Sequence, residues 1–132
     1  MNEQQFDHYL NIETEGYQQG YPKKLDYHRY EPTPYKALEH LFNEYELPEQ
    51  AVCVDIGCGK GRVPIYLHDK FRVRTKGIEM DPKFFAAAMQ NLVQYKAKHR
   101  LRVGSIEFYH QLAEEYNVQK YDNVFFFFNP FS

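Results

Sequence analysis

The sequence predicts an α/β fold in which the strands of a mostly parallel, doubly wound sheet alternate with helices. A β-branched apolar run at 52–56 leads directly into a glycine-rich turn and a helical pattern. A second strand-like segment ends about 20 residues after that turn, as in a βαβ unit. A third apolar run, at 124–128, shows no alternation, which is typical of a strand that is covered on both faces of a parallel sheet.

Length and composition indicate one globular domain. The chain has 132 residues, of which 43% are hydrophobic, so it can form a core and we do not expect global disorder. We interpret residues 1–32 as an N-terminal extension, mainly loop with a short helix near its start, and residues 33–132 as the domain. The net charge of −2 gives no broad attraction to nucleic acid, although nucleic acid stays open as a substrate.

The cysteines and the hydropathy pattern indicate a cytoplasmic protein. Cys53 and Cys58 do not form a CxxC pair, and there is no second cysteine cluster for a zinc site. We therefore expect reduced thiols and no metal. The N-terminus is polar and no apolar run is long enough to span a membrane, so we expect neither a signal peptide nor a membrane partner.

Capping residues and apolar spacing predict the remaining elements. Thr33 and Pro34 are expected to cap and open a helix that ends near Leu47. Asp81 and Pro82 do the same for a helix that runs through about residue 96. Further helices are predicted at 62–70 and 107–116, and further strands at 73–78 and 101–103.

The spacing of the glycines narrows the classes of ligand that this turn can bind. Gly57, Gly59 and Gly61 let the backbone turn tightly and approach a ligand, and the helix that follows offers N–H groups at its N-terminus. The dinucleotide fingerprint requires a glycine at the sixth position, which is Arg62 here, and no Gly-Lys-Ser/Thr of a P-loop follows. A nicotinamide-binding dehydrogenase fragment is therefore a disfavoured alternative.

An acidic residue stands where a nucleotide-binding unit needs one. Glu79 is expected at the end of the second strand, where its carboxylate can accept hydrogen bonds from both hydroxyls of a ribose. Met80 beside it offers a soft apolar contact for an adenine. The alternative is that Glu79 is an ordinary solvated acid at a strand end.

The pattern Asp-x-Gly-x-Gly-x-Gly at 55–61 resembles the first motif of class I S-adenosylmethionine-dependent methyltransferases, which have a seven-stranded Rossmann-like fold. The resemblance implies S-adenosylmethionine as the cofactor. It also implies a cofactor site formed by the turn and the residue before it (Asp55, Gly57, Cys58, Gly59 and Gly61) together with Glu79 and Met80.

The resemblance implies further cofactor contacts on both sides of this motif. In the family, a helix before the first strand covers the pocket, so Tyr30 and Thr33 would reach the methionine end of the cofactor. The alternative is that Thr33 only caps its helix and Tyr30 only packs. An acidic residue often follows the third strand and bonds the adenine amino group. Ser105, followed by Ile106, occupies the matching place here, and the nearby Glu107 is the alternative.

Asn129-Pro130-Phe131 resembles the fourth motif of methyltransferases that modify nitrogen, although the second proline of that motif is missing. The resemblance implies that the Asn129 side chain and the next backbone carbonyl accept hydrogen bonds from a substrate amine, while the ring of Phe131 holds a planar substrate. The alternative is a turn that only ends the strand.

The resemblance covers about residues 30–132, which supply four of the family's seven strands. We expect the chain to be a fragment, an interrupted gene or a domain whose sheet is completed by a partner. A homodimer through the open edge of the fourth strand is the partner we favour. The expected activity is methyl transfer to an unidentified acceptor, with a non-catalytic cofactor-binding relic as the alternative.

Overall fold

Up to residue 98 the elements follow the predicted alternation of strands and helices. The computed structural model describes residues 1–15 and 31–127. The helices are α1 (Glu3–Leu10), α2 (Tyr35–Glu44), α3 (Arg62–Phe71) and α4 (Pro82–Lys98), with a short 3₁₀ helix at Ala113–Glu115. The strands are β1 (Val52–Ile56), β2 (Arg74–Glu79), β3 (Ile106–His110) and β4 (Val124–Phe127).

The four strands form one parallel sheet of order β3-β2-β1-β4. The chain winds from β1 to β2 to β3 in one direction and then returns to place β4 on the other side of β1. The winding therefore changes direction between β1 and β4. In open α/β sheets a crevice forms at such a switch point, outside the carboxyl ends of the strands.

One face of the sheet carries the helices. The strand register places four residues side by side on this same face, one from each strand: Phe108, Gly77, Asp55 and Phe126. On this face Thr75 Oγ1 donates to the Pro64 carbonyl of α3 at 3.1 Å. The ring of Phe126 lies 6.0 Å from that of Phe42 on α2. The main hydrophobic core lies between this face and the helices.

The other face is covered by the segment that returns to β4. Lys76 points to this face, where its Nζ donates to Asp122 Oδ1 at 2.8 Å and to Tyr116 Oη at 2.9 Å. Burial disfavours the charged amine, but the bonds to Asp122 and Tyr116 outweigh it and raise the pKa of Lys76. The cover ends before β4, where Phe125 and Phe127 are 38% and 73% exposed. The prediction that β4 is covered on both faces is thus wrong for the part of the chain that the structure describes.

The first fifteen residues are built into the domain core rather than appended to it. Leu10 and Ile12 are buried in the main core, and α1 is the short helix expected near the start. The carboxylate of Glu3 accepts both the backbone N–H of Tyr35, the first residue of α2, and the Arg62 guanidinium. This capping by a neighbouring helix replaces the cap predicted from Thr33, because α2 begins at Tyr35 and receives no side-chain bond from Pro34 before it.

The predicted order of elements fails between residues 101 and 116. The predicted strand at 101–103 is a turn, closed by a hydrogen bond from Ser105 N to the Arg102 carbonyl, and Val103 is fully exposed. The predicted helix at 107–116 begins instead as β3, which pairs along β2 from Ile106 opposite Thr75. The helical spacing of Phe108, Leu112 and Tyr116 competes with the two-residue alternation of Ile106 and Phe108, and pairing with β2 decides for the strand.

The buried ion pair of Lys76 and Asp122 should contribute more to stability than an exposed pair in the same sheet. The two side chains are 2% and 0% exposed. We expect Asp122→Asn to lower the free energy of unfolding by about 3 kcal/mol, because it leaves the buried ammonium without a countercharge. Urea unfolding followed by circular dichroism measures this change.

Glu107→Gln is the matched control, since it breaks the Arg74–Glu107 pair, whose side chains are 39% and 35% exposed. Its effect should stay below about 1 kcal/mol. Equal losses of stability in the two variants would contradict the assignment of Lys76–Asp122 as a structural pair.

Candidate functional site

The glycine turn between β1 and α3 is fixed to the end of β2. Gly57, Gly59 and Gly61 all have left-handed backbones, with φ of 81°, 56° and 90°. The N–H groups of Gly57 and Cys58 both donate to the Ile78 carbonyl, at 2.8 and 3.0 Å. The turn therefore lies across the carboxyl ends of β1 and β2, beside the switch point of the sheet.

Glu79 joins this turn to the start of α4. Its Oε1 accepts the N–H of Gly59 at 2.7 Å, and its Oε2 accepts the N–H of Asp81 at 2.9 Å. The carboxylate is buried, so these two bonds set its orientation. Each carboxylate oxygen has two lone pairs, which leaves an acceptor position on both oxygens for a ligand. The alternative of a merely solvated acid at this position is wrong.

Asp55 lies beside Glu79 on the neighbouring strand and is buried. Its Oδ1 has no hydrogen-bond partner among the described residues. Burial, and then the charge of Glu79, raise the pKa of Asp55 to about 7. A buried acceptor without a partner suits a ligand that brings a hydrogen-bond donor or a positive charge.

The glycines of the turn serve different purposes. A Cβ on Gly57 would meet no atom within 4 Å, so open space adjoins its Cα. A Cβ on Gly61 would lie 2.7 Å from the ring of Phe108, so this glycine allows α3 to pack closely on β3. Open space at Gly57, the unpartnered Asp55 oxygen and the free acceptor positions of Glu79 together fit a ligand with donor groups.

Cys58 is a packing residue through its side chain. A Cβ on Gly77 would stand 2.7 Å from Cys58 Sγ, so the thiol fills the space above that glycine. Burial raises the pKa of the Cys58 thiol well above its ordinary value, which keeps it neutral. Cys53 is buried as well, and both cysteines are free.

Asn91 and Arg62 are site-forming residues that the sequence analysis missed. Asn91 Nδ2 donates to the carbonyls of Lys60 and Glu13, and its Oδ1 accepts the N–H of Glu13. An amide within the apolar stripe of α4 was the signal for it. Arg62, directly after the last glycine of the turn, donates to Thr14 Oγ1 and to the Thr33 carbonyl. Both side chains fasten the N-terminal segment to the glycine turn.

Met80 lies at the predicted edge of the site with an exposed side chain. Its carbonyl oxygen is 3.1 Å from His110 Nε2, and the His110 ring stacks on Phe85 at 5.2 Å. Gln111 N donates to the Glu79 carbonyl at 3.2 Å. The end of β3 is thereby brought to Met80 and Glu79.

The assignment of Ser105 and Ile106 to the adenine site is wrong in its placement. Ile106 begins β3 opposite Thr75, whereas Glu79 stands opposite His110. Four residues of strand at roughly 3.3 Å each therefore separate Ile106 from the edge that carries Glu79. Ser105 lies one residue earlier still, where its carbonyl accepts the N–H of Thr75. Gln111 and Leu112 follow β3 instead.

The structure describes only one of the remaining predicted site residues, Thr33. Thr33 is buried, and its carbonyl accepts a hydrogen bond from Arg62, close to the glycine turn in the chain. Tyr30, Asn129, Pro130 and Phe131 lie outside the described residues. In residues 1–15 and 31–127, no three metal-ligating side chains come together, and no helix is long and apolar enough to cross a membrane.

Solved structures similar to this chain are methyltransferases. No protein-family model and no curated protein matches the sequence. The chain is similar to an RNA methyltransferase from Salinibacter ruber in complex with S-adenosyl-L-homocysteine, with 26% identity and a TM-score of 0.55 over 65% of this chain and 53% of that one. It is also similar to an S-adenosylmethionine-dependent methyltransferase from Thiobacillus denitrificans in complex with the same compound, with 18% identity and a TM-score of 0.51 over 69% of this chain and 37% of that one.

These similarities identify the fold. The four-stranded parallel sheet of order β3-β2-β1-β4 matches part of the Rossmann-like fold of class I S-adenosylmethionine-dependent methyltransferases. The chain spans 53% of the length of the Salinibacter structure and 37% of the other.

Asp55 should make stability fall as the pH rises. Its pKa is raised on folding from 3.8 to about 7, so the folded state binds the proton more tightly and loses stability between about pH 4 and pH 7. Asp55→Asn removes this loss. We expect the variant to match the wild type near pH 4 and to exceed it by roughly 2 to 4 kcal/mol at pH 8.

Urea unfolding from pH 4 to pH 8 measures the difference between the two proteins. Glu114→Gln, the same change of charge at an exposed position, is the control and should show no such pH dependence. Wild-type and Asp55→Asn stabilities that run parallel across this range would refute the buried, protonated state of Asp55.

Proposed function

We propose that this chain is the cofactor-binding part of an S-adenosylmethionine-dependent methyltransferase. The observation that carries the proposal is the junction of the glycine turn with Glu79 at the switch point of the sheet. The similarity to a methyltransferase at 26% identity supports the same cofactor, since that structure contains S-adenosyl-L-homocysteine.

Three of the described residues would contact such a cofactor. The two oxygens of Glu79 would accept hydrogen bonds from the ribose hydroxyls while they keep their bonds to Gly59 and Asp81. Gly57 would let the cofactor approach its bare Cα. The unpartnered Asp55 oxygen would accept a hydrogen bond from a donor or cationic group of the cofactor, which would favour the ionised carboxylate.

The bound cofactor would supply an electrophilic methyl group on a sulfonium, and the protein would supply position and electrostatics. Methyl transfer would be a direct displacement at that methyl group, and the residues of this chain would hold the acceptor and the cofactor in position for it. The Asn129-Pro130-Phe131 segment favours nitrogen as the acceptor atom, because an amide and a carbonyl can orient an N–H group.

Ligand-binding measurements distinguish this proposal from two other functions. A non-catalytic relic would bind the cofactor without methyl transfer. A nicotinamide-binding fragment would bind NAD, although Arg62 takes the place of the glycine that the dinucleotide fingerprint requires. Titration calorimetry with S-adenosylmethionine, S-adenosylhomocysteine and NAD distinguishes the cofactors, and binding of NAD alone would overturn the proposal.

A methyl group on Gly57 should block the cofactor. We expect Gly57→Ala to weaken S-adenosylhomocysteine binding at least tenfold, since its Cβ would occupy the open space that the ligand needs. Gly104→Ala is a matched control, because Gly104 has nearly the same φ, 80° against 81°, and also no atom within 4 Å of an added Cβ.

Both alanine variants therefore incur a similar backbone strain, on the order of 1 kcal/mol, but only one changes the proposed pocket. Gly104→Ala should bind within about twofold of the wild type. Equal affinities of the two variants in calorimetry would remove Gly57 from the cofactor site.

A further inference from the structure

Basic residues are concentrated in two short segments of this acidic chain. Residues 70–74 and 96–102 contain seven of its 16 lysines and arginines and no aspartate or glutamate. Such a concentration in a protein of net charge −2 produces a local positive field that the overall charge conceals.

The fold brings the two segments together where β2 and β3 begin, at the opposite ends of the strands from the glycine turn. Arg72 Nη1 donates to the Arg100 carbonyl at 3.2 Å, and just beyond the two segments Thr75 N donates to the Ser105 carbonyl at 2.9 Å. Between them lies an open groove of about 450 Å³, which we call the arginine groove; it is lined by residues 72–74 and 102–105.

Arg72 stands at a backbone position that favours glycine. It ends α3 with a φ of 54°, in the left-handed region. An arginine at such a position carries backbone strain that a glycine would not. This conflict between local preference and residue type is typical of functional positions.

Arg74 is held in place by its neighbours. Its Nη2 donates to Glu107 Oε1 at 2.8 Å, and its guanidinium lies 4.9 Å from the centre of the Tyr121 ring. The Glu107 carboxylate offsets one charge. Arg72 and Arg102 are exposed, and the described hydrogen bond of the Arg72 guanidinium is to a neutral carbonyl.

We propose that the arginine groove binds the phosphate backbone of a nucleic acid. Arginine presents a planar set of N–H donors that matches phosphate oxygens, and three arginines border one concave surface. A membrane surface is served instead by lysine-rich amphipathic helices with a broad apolar face, which this groove does not provide.

The groove would hold a nucleic-acid substrate for methyl transfer, and this role rests on the proposed function, whereas phosphate binding does not. Five steps along β2, from Arg74 in the groove to Glu79, separate the groove from the cofactor site. At roughly 3.3 Å per step this is about 17 Å, which some five stacked nucleotides span at about 3.4 Å each.

Fluorescence anisotropy with a labelled 20-nucleotide RNA and a DNA of the same sequence tests the proposal, at 50 to 200 mM salt. The double variant Arg72→Gly with Arg102→Gln should bind at least tenfold more weakly than the wild type. Its salt dependence, the slope of log K against log salt, should fall by about one for each phosphate that the variant no longer binds. Its melting temperature should not drop, because glycine suits the backbone at position 72.

Lys36→Gln with Lys83→Gln is the control of equal charge change; these exposed lysines are the second residues of α2 and α4 and do not line the arginine groove. It should keep its affinity within twofold. The proposal is overturned if the wild type binds neither nucleic acid, if both double variants lose affinity equally, or if inorganic phosphate or vesicles with anionic lipid bind the groove in preference to nucleic acid. Stronger binding of RNA or of DNA identifies the natural source of the phosphate.

Calorimetry with S-adenosylhomocysteine on the same proteins separates the two proposals. The arginine variant should bind this compound as the wild type does, since the groove and the glycine turn lie at opposite ends of the strands. If the chain binds nucleic acid through these arginines but has no affinity for the cofactor, the proposed function is overturned and the binding of nucleic acid by the arginine groove is supported.

Discussion

The candidate site depends on one carboxylate that bonds two backbone amides. Glu79 accepts the N–H of Gly59 from the glycine turn and the N–H of Asp81 from the cap of α4. Charge-assisted bonds of this kind are stronger than neutral ones, and the bond to Gly59 is buried. The turn after β1 and the helix after β2 are thereby held in one arrangement at the carboxyl edge of the sheet, before any ligand arrives.

The N-terminal segment belongs to the same construction. Arg62 bonds Glu3, Thr14 and the Thr33 carbonyl, and it does so from the first position of α3. Asn91 adds a second connection, from α4 to Glu13 and to Lys60 within the turn. Residues that read as an extension in the sequence therefore support the wall of the proposed pocket. A preformed wall lowers the ordering cost of ligand binding.

Local signals explain what the sequence could predict. The β1 strand, the glycine turn and Glu79 at the end of β2 lie within about 28 residues, and their spacing reflects a single βαβ unit. Asp81 caps α4 as its position before Pro82 indicates, by accepting the N–H groups of Lys83 and Phe84. These features depend on residues that are close together in the chain.

Long-range contacts explain what the sequence could not predict. Arg62 finds its partners 29, 48 and 59 residues earlier, so neither its burial nor its role can be derived from its neighbours. The segment that became β3 carries both helical and strand periodicity, and its pairing with β2 decided between them. The same pairing moved Ser105 from the expected ligand edge to the arginine groove.

¹H–¹⁵N NMR with S-adenosylhomocysteine tests whether the glycine turn and Glu79 at the end of β2 form a single cofactor site. In such a site, saturating ligand shifts the amide signals of Gly57, Gly59 and Asp81, while those of Gly104 and Ser105 at the opposite ends of the strands stay unchanged. Shifts confined to other parts of the chain, or a response to NAD alone, would contradict this assignment.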